Sequence, residues 1–313
     1  MKNYPAKLLL FGEHTVNVGS LALAVPLPLF SGKWALYPKL DPAELAARQM
    51  RLPQLADYLD RLQQQGELLA KLDVAAFRQA LSEGLVFESN IPTGYGAGSS
   101  GALVAAVFDN WQLAVGSWQS DLGELKKALA QMEAFFHGTS SGTDPLICFL
   151  QKPVLLGGLG GVKIVDLPTN HSKLAGESLI TNHQIFLLDT EMPRQATPFI
   201  EYFLEKMSDE AFSALCGTEL LPSVEAAITA FLEGNSSRVF EEVHHIGGFQ
   251  LHNLERLIPE KFRPIWQQGL DGDLFKLKVC GAGGGGFLLG ITRDFEATKL
   301  ALAGHKLLPV MMV

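Results

Sequence analysis

Two glycine-rich segments constrain this chain more than any other feature of its sequence. Residues 92–101 connect a strand-like segment to an apolar, alanine-rich one, and every second residue from Gly94 through Gly96 to Gly98 is glycine. In residues 281–286, five of six positions are glycine. Glycine makes up 31 of 313 residues, about 10% against a usual ~7%, and these clusters hold much of the excess. Both segments therefore need a backbone conformation or a close approach that side chains would prevent.

The first loop has the form of an anion site. Without side chains, successive backbone N–H groups can converge, and the helix predicted to follow adds free N–H groups and a positive dipole end. Phosphate is the most natural ligand, with Ser99 and Ser100 adding hydroxyl groups. The alternative is a flexible turn whose serines only cap the helix. The loop is not a Walker A motif, because no Gly-Lys-Ser/Thr ends it.

The second loop matches G-x-G-x-x-G through Gly281, Gly283 and Gly286. A dinucleotide site is rejected, since the following segment is strand-like and only 27 residues remain after the loop. A close backbone approach to the first loop or to a ligand explains these glycines better.

The hydrophobic pattern predicts a mixture of strands and helices, and the length suits two domains. Strand character marks residues 5–37 and 85–91, and helical composition fills most of the stretch between them, opened by Asp41 as N-cap. Helices are predicted at 102–114 and 121–137, then a loop at 139–144 and strands to about Asp166. The second half is predicted to have the following elements: a strand at 184–189, helices from about 198, 221 and 236, strands at 275–280 and 287–291, a helix at 295–303 and a strand at 307–313.

Charge and cysteine usage exclude several classes of function. The net charge of −8 disfavours binding to a phosphate backbone, so no nucleic-acid partner is expected. The three cysteines, Cys148, Cys216 and Cys280, show no paired spacing, which indicates a reducing compartment. No signal peptide and no run of about 18 apolar residues is found. We expect a cytoplasmic protein without a membrane partner.

Four polar positions could support phosphoryl chemistry: Lys7, the Glu13-His14 pair, Glu133 and Asp144. Taken singly, each has an ordinary structural explanation: an edge lysine, a polar pair in a turn, a solvent-facing glutamate and an Asp-Pro turn. Together with a phosphate loop, they supply the cation, the carboxylate base and the metal ligands that phosphoryl transfer needs.

Three motifs resemble those of the GHMP small-molecule kinases, which include galactokinase, homoserine kinase, mevalonate kinase and phosphomevalonate kinase. They are residues 5–14, 91–101 and 278–287. Within the superfamily the mevalonate kinases fit best, especially the short type of the Bacteroidetes lineage. Their signature is similar to Glu133 followed by His137-Gly138 and by Ser141-Gly142-Thr143-Asp144, and residues 192–197 resemble a further stretch.

The resemblance implies an α+β, two-domain GHMP kinase fold. Residues 1–172 would form the N-terminal, ribosomal protein S5 domain 2-like domain, and residues 173–313 the C-terminal, ferredoxin-like domain. The implied activity is ATP-dependent and Mg²⁺-dependent phosphorylation of a small alcohol, mevalonate. The oligomeric state is left open, and a homodimer is compatible with the sequence.

The resemblance also implies site residues. Lys7 and Asp144 would be the catalytic pair, and Ser100 and Glu133 would hold Mg²⁺. Glu13, His14 and Thr197 would face the alcohol, and Gly281 and Gly283 would belong to an active-site loop. The residues implied for ATP binding are Gly94, Tyr95, Gly96, Ala97, Gly98, Ser99, Ser100 and Gly101.

Three departures leave the acceptor open. Pro145 stands where the family usually has Asn, and Thr143 replaces an aliphatic residue. Val16 replaces the sugar-binding Asp of galactokinases, which disfavours a sugar. The enzyme alternatives are phosphomevalonate kinase, homoserine kinase and diphosphomevalonate decarboxylase. A non-catalytic nucleotide-dependent regulator and a glycine-rich fold without ligand are the remaining alternatives.

Overall fold

The computed structural model describes residues 2–113, 121–157, 161–168, 183–194 and 196–313. The domain boundary expected between residues 172 and 173 lies outside these ranges. By its internal packing the chain divides into two compact units. The first unit comprises Met1–Lys7, Pro26–Pro92 and Ala97–Lys152. The second unit comprises Leu8–Val25, Thr93–Gly96 and Pro153–Val313.

The described residues form a mixture of strands and helices. The strands are β1 (Asn3–Phe11), β2 (Ala22–Leu36), β3 (Leu85–Ser89), β4 (Val154–Leu156), β5 (Val162–Ile164), β6 (Gln184–Asp189), β7 (Phe275–Val279), β8 (Phe287–Thr292) and β9 (Leu307–Met312). The α-helices are α1 (Pro42–Gln49), α2 (Leu52–Gln64), α3 (Val74–Ser82), α4 (Ser99–Trp111), α5 (Leu122–His137), α6 (Thr143–Leu150), α7 (Thr197–Met207), α8 (Glu210–Leu215), α9 (Leu221–Glu233), α10 (Ser236–Asn253), α11 (Arg263–Asp271) and α12 (Phe295–Ala301).

In the first unit, the second half of β2 pairs antiparallel with β3, from Gly32 opposite Ser89 to Leu36 opposite Leu85. The buried helix α4 lies in the same unit and packs against α5 and α6. Its residues from Val104 to Phe108 are completely buried. The unit therefore has its core around α4, and the N-terminus of α4 is the end that follows the first glycine loop.

The second unit contains an antiparallel sheet in the order β7-β8-β6-β9. Helix α10 packs against β7 and against α9. In the same unit the first residues of β2 pair with β4, and β4 pairs with β5. Strands β6 and β8 are almost wholly buried, as expected for the centre of a sheet covered by helices.

The ends of α1 and α5 follow from local sequence, and the N-cap predicted at Asp41 is confirmed. Asp41 caps α1 by accepting from the backbone N–H groups of Ala43 and Glu44. Asp121 caps α5 in the same way. Gly138 ends α5 with a φ of 77°, a value that suits glycine because it has no Cβ.

The helical composition predicted between Asp41 and Gly84 is confirmed and forms three helices, α1, α2 and α3. One expectation was wrong. The segment after Asp144 is helix α6, not a strand, and it begins at Thr143. Gly142 adopts the left-handed conformation before it, and Pro145 lies in its first turn, where a missing N–H costs nothing. A short apolar run does not distinguish a strand from a buried helix by periodicity.

One continuous helical stretch, Glu210–Glu233, is long and apolar enough to cross a membrane by length and composition alone. It includes α8, a π-helical turn (Cys216–Leu220) and α9. Val224, Ala227, Ile228 and Phe231 of this stretch are buried inside the protein. The buried residues show that one face of α9 contributes to the core of the second unit.

Candidate active site

Lys7 and Asp144 form an ion pair in the first unit, with 2.9 Å between Nζ and Oδ1. The Lys7 side chain is 8% exposed and that of Asp144 is 30% exposed. The backbone N–H of Lys7 donates to the Ala97 carbonyl at 2.9 Å, which fixes β1 to the end of the glycine loop. A lysine is rarely buried without a partner. The arrangement excludes an edge lysine with its amine in water and presents a carboxylate, held by a buried cation, at the surface.

Two glycines let the N-terminus of α4 approach this ion pair. Gly98, with a φ of 78°, precedes α4, and a Cβ on it would lie 2.9 Å from Cγ of Lys7. A Cβ on Gly101 would lie 2.8 Å from the backbone of Asp144 and Pro145. The free N–H groups and positive dipole end of α4 therefore lie beside the Lys7 and Asp144 side chains. This local geometry suits an anion, as the loop sequence predicted.

Glu133 of α5 is a buried carboxylate, only 5% exposed. The hydroxyl of Ser100 donates to its Oε1 at 2.9 Å, and the hydroxyl of Ser140 donates to its Oε2 at 2.5 Å. Burial, and then the nearby negative charge of Asp144, raise the pKa of Glu133 to about 7. A glutamate facing solvent, the alternative considered from the sequence, is thereby excluded. We call Lys7, Ser100, Glu133, Ser140 and Asp144 the carboxylate cluster.

The donors of the carboxylate cluster fit Mg²⁺. An ionised carboxylate in a buried position is unfavourable without a cation, and the Ser100 hydroxyl lies directly beside Glu133. Within the described ranges, no group of three or more His, Cys, Asp and Glu side chains could hold a metal ion. Mg²⁺ does not need one, because it keeps several waters and binds through one or two carboxylates plus substrate phosphates.

Ser140 and His137 belong to the surroundings of Glu133 but were not among the predicted site residues. The Nε2 atom of His137 lies 3.0 Å from the Ser100 hydroxyl oxygen, from the last turn of α5. His137 had been noted only as part of the mevalonate kinase signature. The spacing from Glu133 to His137 is one helical turn, which is the signal that could have placed both on the same face.

The raised pKa of Glu133 predicts how stability depends on pH in the absence of metal. Because the pKa of Glu133 is higher in the folded than in the unfolded chain, protonated Glu133 contributes to the free energy of unfolding. This contribution is fully present below about pH 4.5 and is lost as the pH rises to about 7. Glu133→Gln removes the loss, so at about pH 8 its free energy of unfolding should exceed the wild-type value by at most about 3 kcal/mol. Urea unfolding in EDTA measures both proteins. Glu124→Gln, on the exposed side of α5, is the control. If Glu133→Gln and the wild type differ in free energy of unfolding by the same amount at about pH 4.5 as at about pH 8, the prediction is contradicted.

In the second unit, Tyr95 anchors the middle of the first glycine loop. Its ring packs edge-on against Phe287 of β8 at 4.9 Å. Its hydroxyl is hydrogen-bonded to Asp189, and burial is the main cause that raises the pKa of Tyr95 to about 12. A Cβ on Gly286 would lie 2.9 Å from the Tyr95 carbonyl oxygen. The predicted close approach between the two glycine loops is therefore present, and the Tyr95 side chain serves to hold the loop.

Arg194 connects the same two loops and was not among the predicted site residues. Its backbone N–H donates to the Gly94 carbonyl at 2.9 Å. A Cβ on Gly96 or on Gly281 would lie 2.8 Å from Nη2 of Arg194. Gly283, with a φ of 79°, packs instead against the Leu257 carbonyl. Glycines at positions 96 and 281 thus leave room for a guanidinium group between the loops.

Glu13 and His14 are buried in the second unit. Glu13 forms an ion pair with Lys278 of β7, whose side chain is completely buried. His14 is 4% exposed, and its ring packs 5.0 Å from that of Phe203. Thr197, by contrast, is an exposed residue at the start of α7, and Gln195 lies outside the described ranges. Lys278 is the fourth residue that sequence reasoning missed, although it opens the third motif.

The chain is similar to known kinases in sequence. The profile of the family described as GHMP kinases N terminal domain matches residues 61–152. A mevalonate kinase from Schizosaccharomyces pombe is 24% identical over 371 aligned positions, which cover 96% of this chain and 86% of that protein.

Two solved structures match almost the whole chain. The first is an L. major mevalonate kinase in complex with R-mevalonate. It has a TM-score of 0.64 at 15% identity and covers 100% of this chain and 96% of that one. The second is a Streptococcus pneumoniae phosphomevalonate kinase in complex with phosphomevalonate and AMPPNP. Its TM-score is 0.62 at 15% identity, with 99% of both chains covered.

Proposed function

The chain has the fold of the GHMP kinases and resembles the mevalonate kinases among them, and from this we propose that it transfers the γ-phosphoryl group of ATP to the primary hydroxyl of mevalonate. The observation that carries the proposal is the Lys7–Asp144 ion pair at the N-terminus of α4. A surface-accessible carboxylate, a buried cation and a phosphate-binding helix end are the parts that phosphoryl transfer to an alcohol requires.

The nucleotide is assigned to the first glycine loop and the start of α4. The backbone N–H groups of residues 94–101 would bind the phosphates, aided by the dipole of α4. Ser100 and Glu133 would hold Mg²⁺ together with phosphate oxygens. When bound, Mg²⁺ supplies charge neutralisation at those oxygens. The Tyr95 side chain would act indirectly, because its ring and hydroxyl already contact Phe287 and Asp189.

The chemistry assigned to the protein is proton acceptance and charge stabilisation. A bond forms between the alcohol oxygen and the γ-phosphorus, and the bond from that phosphorus to the bridging oxygen breaks, with its electron pair leaving on ADP. The hydroxyl proton passes to the Asp144 carboxylate. The Lys7 ammonium stabilises negative charge on the transferred group and holds Asp144 in place. Positioning supplies most of the remaining rate enhancement.

The acceptor is assigned from the resemblance to the mevalonate kinases. Glu13, His14 and Thr197 are proposed to face the alcohol, as the resemblance implies. Mevalonate kinase is the name of the curated relative that matches along most of the chain. The fold alone does not choose the acceptor, since a phosphomevalonate kinase structure matches it equally well.

A panel of acceptors in an ADP-release assay tests the proposal. Mevalonate, phosphomevalonate, homoserine and galactose are compared with Mg²⁺ and with EDTA. We expect mevalonate to give the highest kcat/KM and EDTA to abolish turnover. A higher kcat/KM for another alcohol would overturn the acceptor. No turnover of any alcohol, with ATP still raising the melting temperature, would favour a nucleotide-dependent regulator.

A further inference from the structure

Lys278 is a completely buried cation in the middle of the second unit. It lies on β7, where Nζ donates to Glu13 and, at 2.8 Å, to the carbonyl of Val279. Nζ also lies 5.7 Å from the centre of the Phe11 ring. A lysine in such a place is costly unless it is paired. Lys278 is also the first residue of the third motif, residues 278–287, three positions before the second glycine loop.

The partner, Glu13, is fixed by this pairing. Its side chain is 4% exposed, so its carboxylate cannot be compensated by bulk water. Because removing one member of a buried ion pair leaves the other charge uncompensated, the two side chains depend on each other. Glu13 is therefore held as a stationary hydrogen-bond acceptor, with its orientation set from β7.

His14, the next residue, is held in its neutral form. Burial, and then the positive charges of Arg194 and Lys278, lower its pKa to about 4, against an opposing effect of the Ala282 backbone. Neither ring nitrogen of His14 forms a well-aligned hydrogen bond within the described ranges, although the Ala282 backbone lies close enough to interact with one of them. A neutral imidazole has one donor and one acceptor, so His14 can offer its remaining hydrogen-bonding nitrogen to a ligand. Lys278 therefore acts on both Glu13 and His14.

We propose that Lys278 is a positioning residue that holds Glu13, and through it the adjacent His14, in the orientation that receives the alcohol substrate. The inference rests on the proposed function, in which Glu13 and His14 face the alcohol. Lys278 itself is not placed in contact with the substrate. It acts through the two residues, from the strand that leads into the loop at residues 281–286.

The kinetic test replaces Lys278 with methionine, which keeps the length of the side chain and removes its charge. We expect KM for the alcohol to rise roughly 100-fold, while KM for ATP stays within about threefold of the wild-type value. Lys278→Arg should recover part of the loss, since it retains a charge. Equal changes in both KM values would contradict a role specific to the alcohol.

The same strand provides a matched control. Lys276, two residues away, is also buried, but its Nζ donates to the carbonyls of Gly269, Leu270 and Gly272 at the end of α11. Lys276→Met should lower the melting temperature without changing KM for the alcohol. If it raises that KM as much as Lys278→Met does, the effect is general damage to β7 and the inference fails.

A second variant covers the outcome that Lys278→Met does not fold. Lys278→Met combined with Glu13→Gln removes both charges together, and replacement of a whole buried pair is often tolerated. We expect this double variant to fold and to bind ATP, with KM for the alcohol still raised roughly 100-fold. A wild-type KM for the alcohol in this variant would overturn the inference.

A spectroscopic measurement separates this inference from the proposed function. Imidazole ¹⁵N shifts report the protonation of His14 without any turnover. With Glu13, Arg194 and Lys278 as the charged groups identified around it, His14 should stay neutral down to about pH 5 in the wild type. Its titration midpoint should rise in Lys278→Met and stay unchanged in Lys276→Met. An unchanged midpoint in Lys278→Met would overturn the inference even if mevalonate is phosphorylated, whereas the predicted shift without turnover of any alcohol would overturn only the proposed function.

Discussion

Asp144→Asn is expected to lower kcat by about 1,000-fold or more while leaving the affinity for ATP within about threefold of the wild-type value. Asparagine has nearly the same shape as aspartate but cannot accept the hydroxyl proton. The Asp144 carboxylate is 30% exposed, next to the buried Lys7 ammonium, so it is reachable by an alcohol. Single-turnover phosphoryl transfer measures the rate, and calorimetry with ATP and Mg²⁺ measures binding.

The control is a second lysine–aspartate pair in the same unit. Lys2 and Asp109 are also joined, at 2.8 Å, but neither lies at the glycine loop. Asp109→Asn should leave kcat near the wild-type value, with a small loss of stability because Asp109 also accepts from Tyr4. If Asp144→Asn retains near-wild-type kcat, Asp144 neither accepts nor orients the hydroxyl proton.

Residues with local signals could be predicted from the sequence. Asp41 is predictable as a helix cap because the effect of a capping side chain is confined to the next turn. The anion-binding form of the first loop followed from glycines placed before an apolar helix. The Lys7–Asp144 pair came from a resemblance, and the structure brings the two residues together. Their catalytic roles remain predictions.

Contacts between residues that lie far apart in the sequence could not be predicted. Glu13 and Lys278 are separated by 265 positions, and no local pattern reports that they meet. The burial of Glu133 likewise depends on the packing of α5, and on hydroxyl groups from Ser100 and Ser140. In the sequence it was equally compatible with a solvent-facing glutamate. Packing between elements, which composition does not encode, decided both cases.

The helix that carries Asp144 illustrates a different limit. Residues 146–150 are apolar in every position, so no periodicity was available to separate a buried helix from a strand. Gly142 and Pro145 provided weak signals for a helix start, and both were interpreted as parts of a turn. As a result, Asp144 lies in the first turn of α6 and not, as predicted, at the end of a loop.

The second large effect is expected for Lys7→Met, which should lower kcat by roughly 100- to 1,000-fold. Methionine keeps the apolar part of the side chain that packs near Gly98, so the approach of the loop to β1 is preserved. The variant removes the ammonium group that lies 2.9 Å from Asp144. Negative charge on the transferred phosphoryl group then loses one of its two proposed cations, and Mg²⁺ alone remains. Lys2→Met is the matched control and should leave kcat near the wild-type value.

A double-mutant cycle decides whether Lys7 and Asp144 act as one unit. If Lys7 both orients Asp144 and stabilises the transferred group, Asp144→Asn removes much of what Lys7 contributes. The double variant Lys7→Met/Asp144→Asn should then lose little more activity than Asp144→Asn alone, since groups that act together give strongly non-additive losses. Losses that multiply would mean that the two residues contribute independently. In that case the ion pair would only hold β1 against α6, and the phosphate charge would be stabilised by the α4 N-terminus and Mg²⁺.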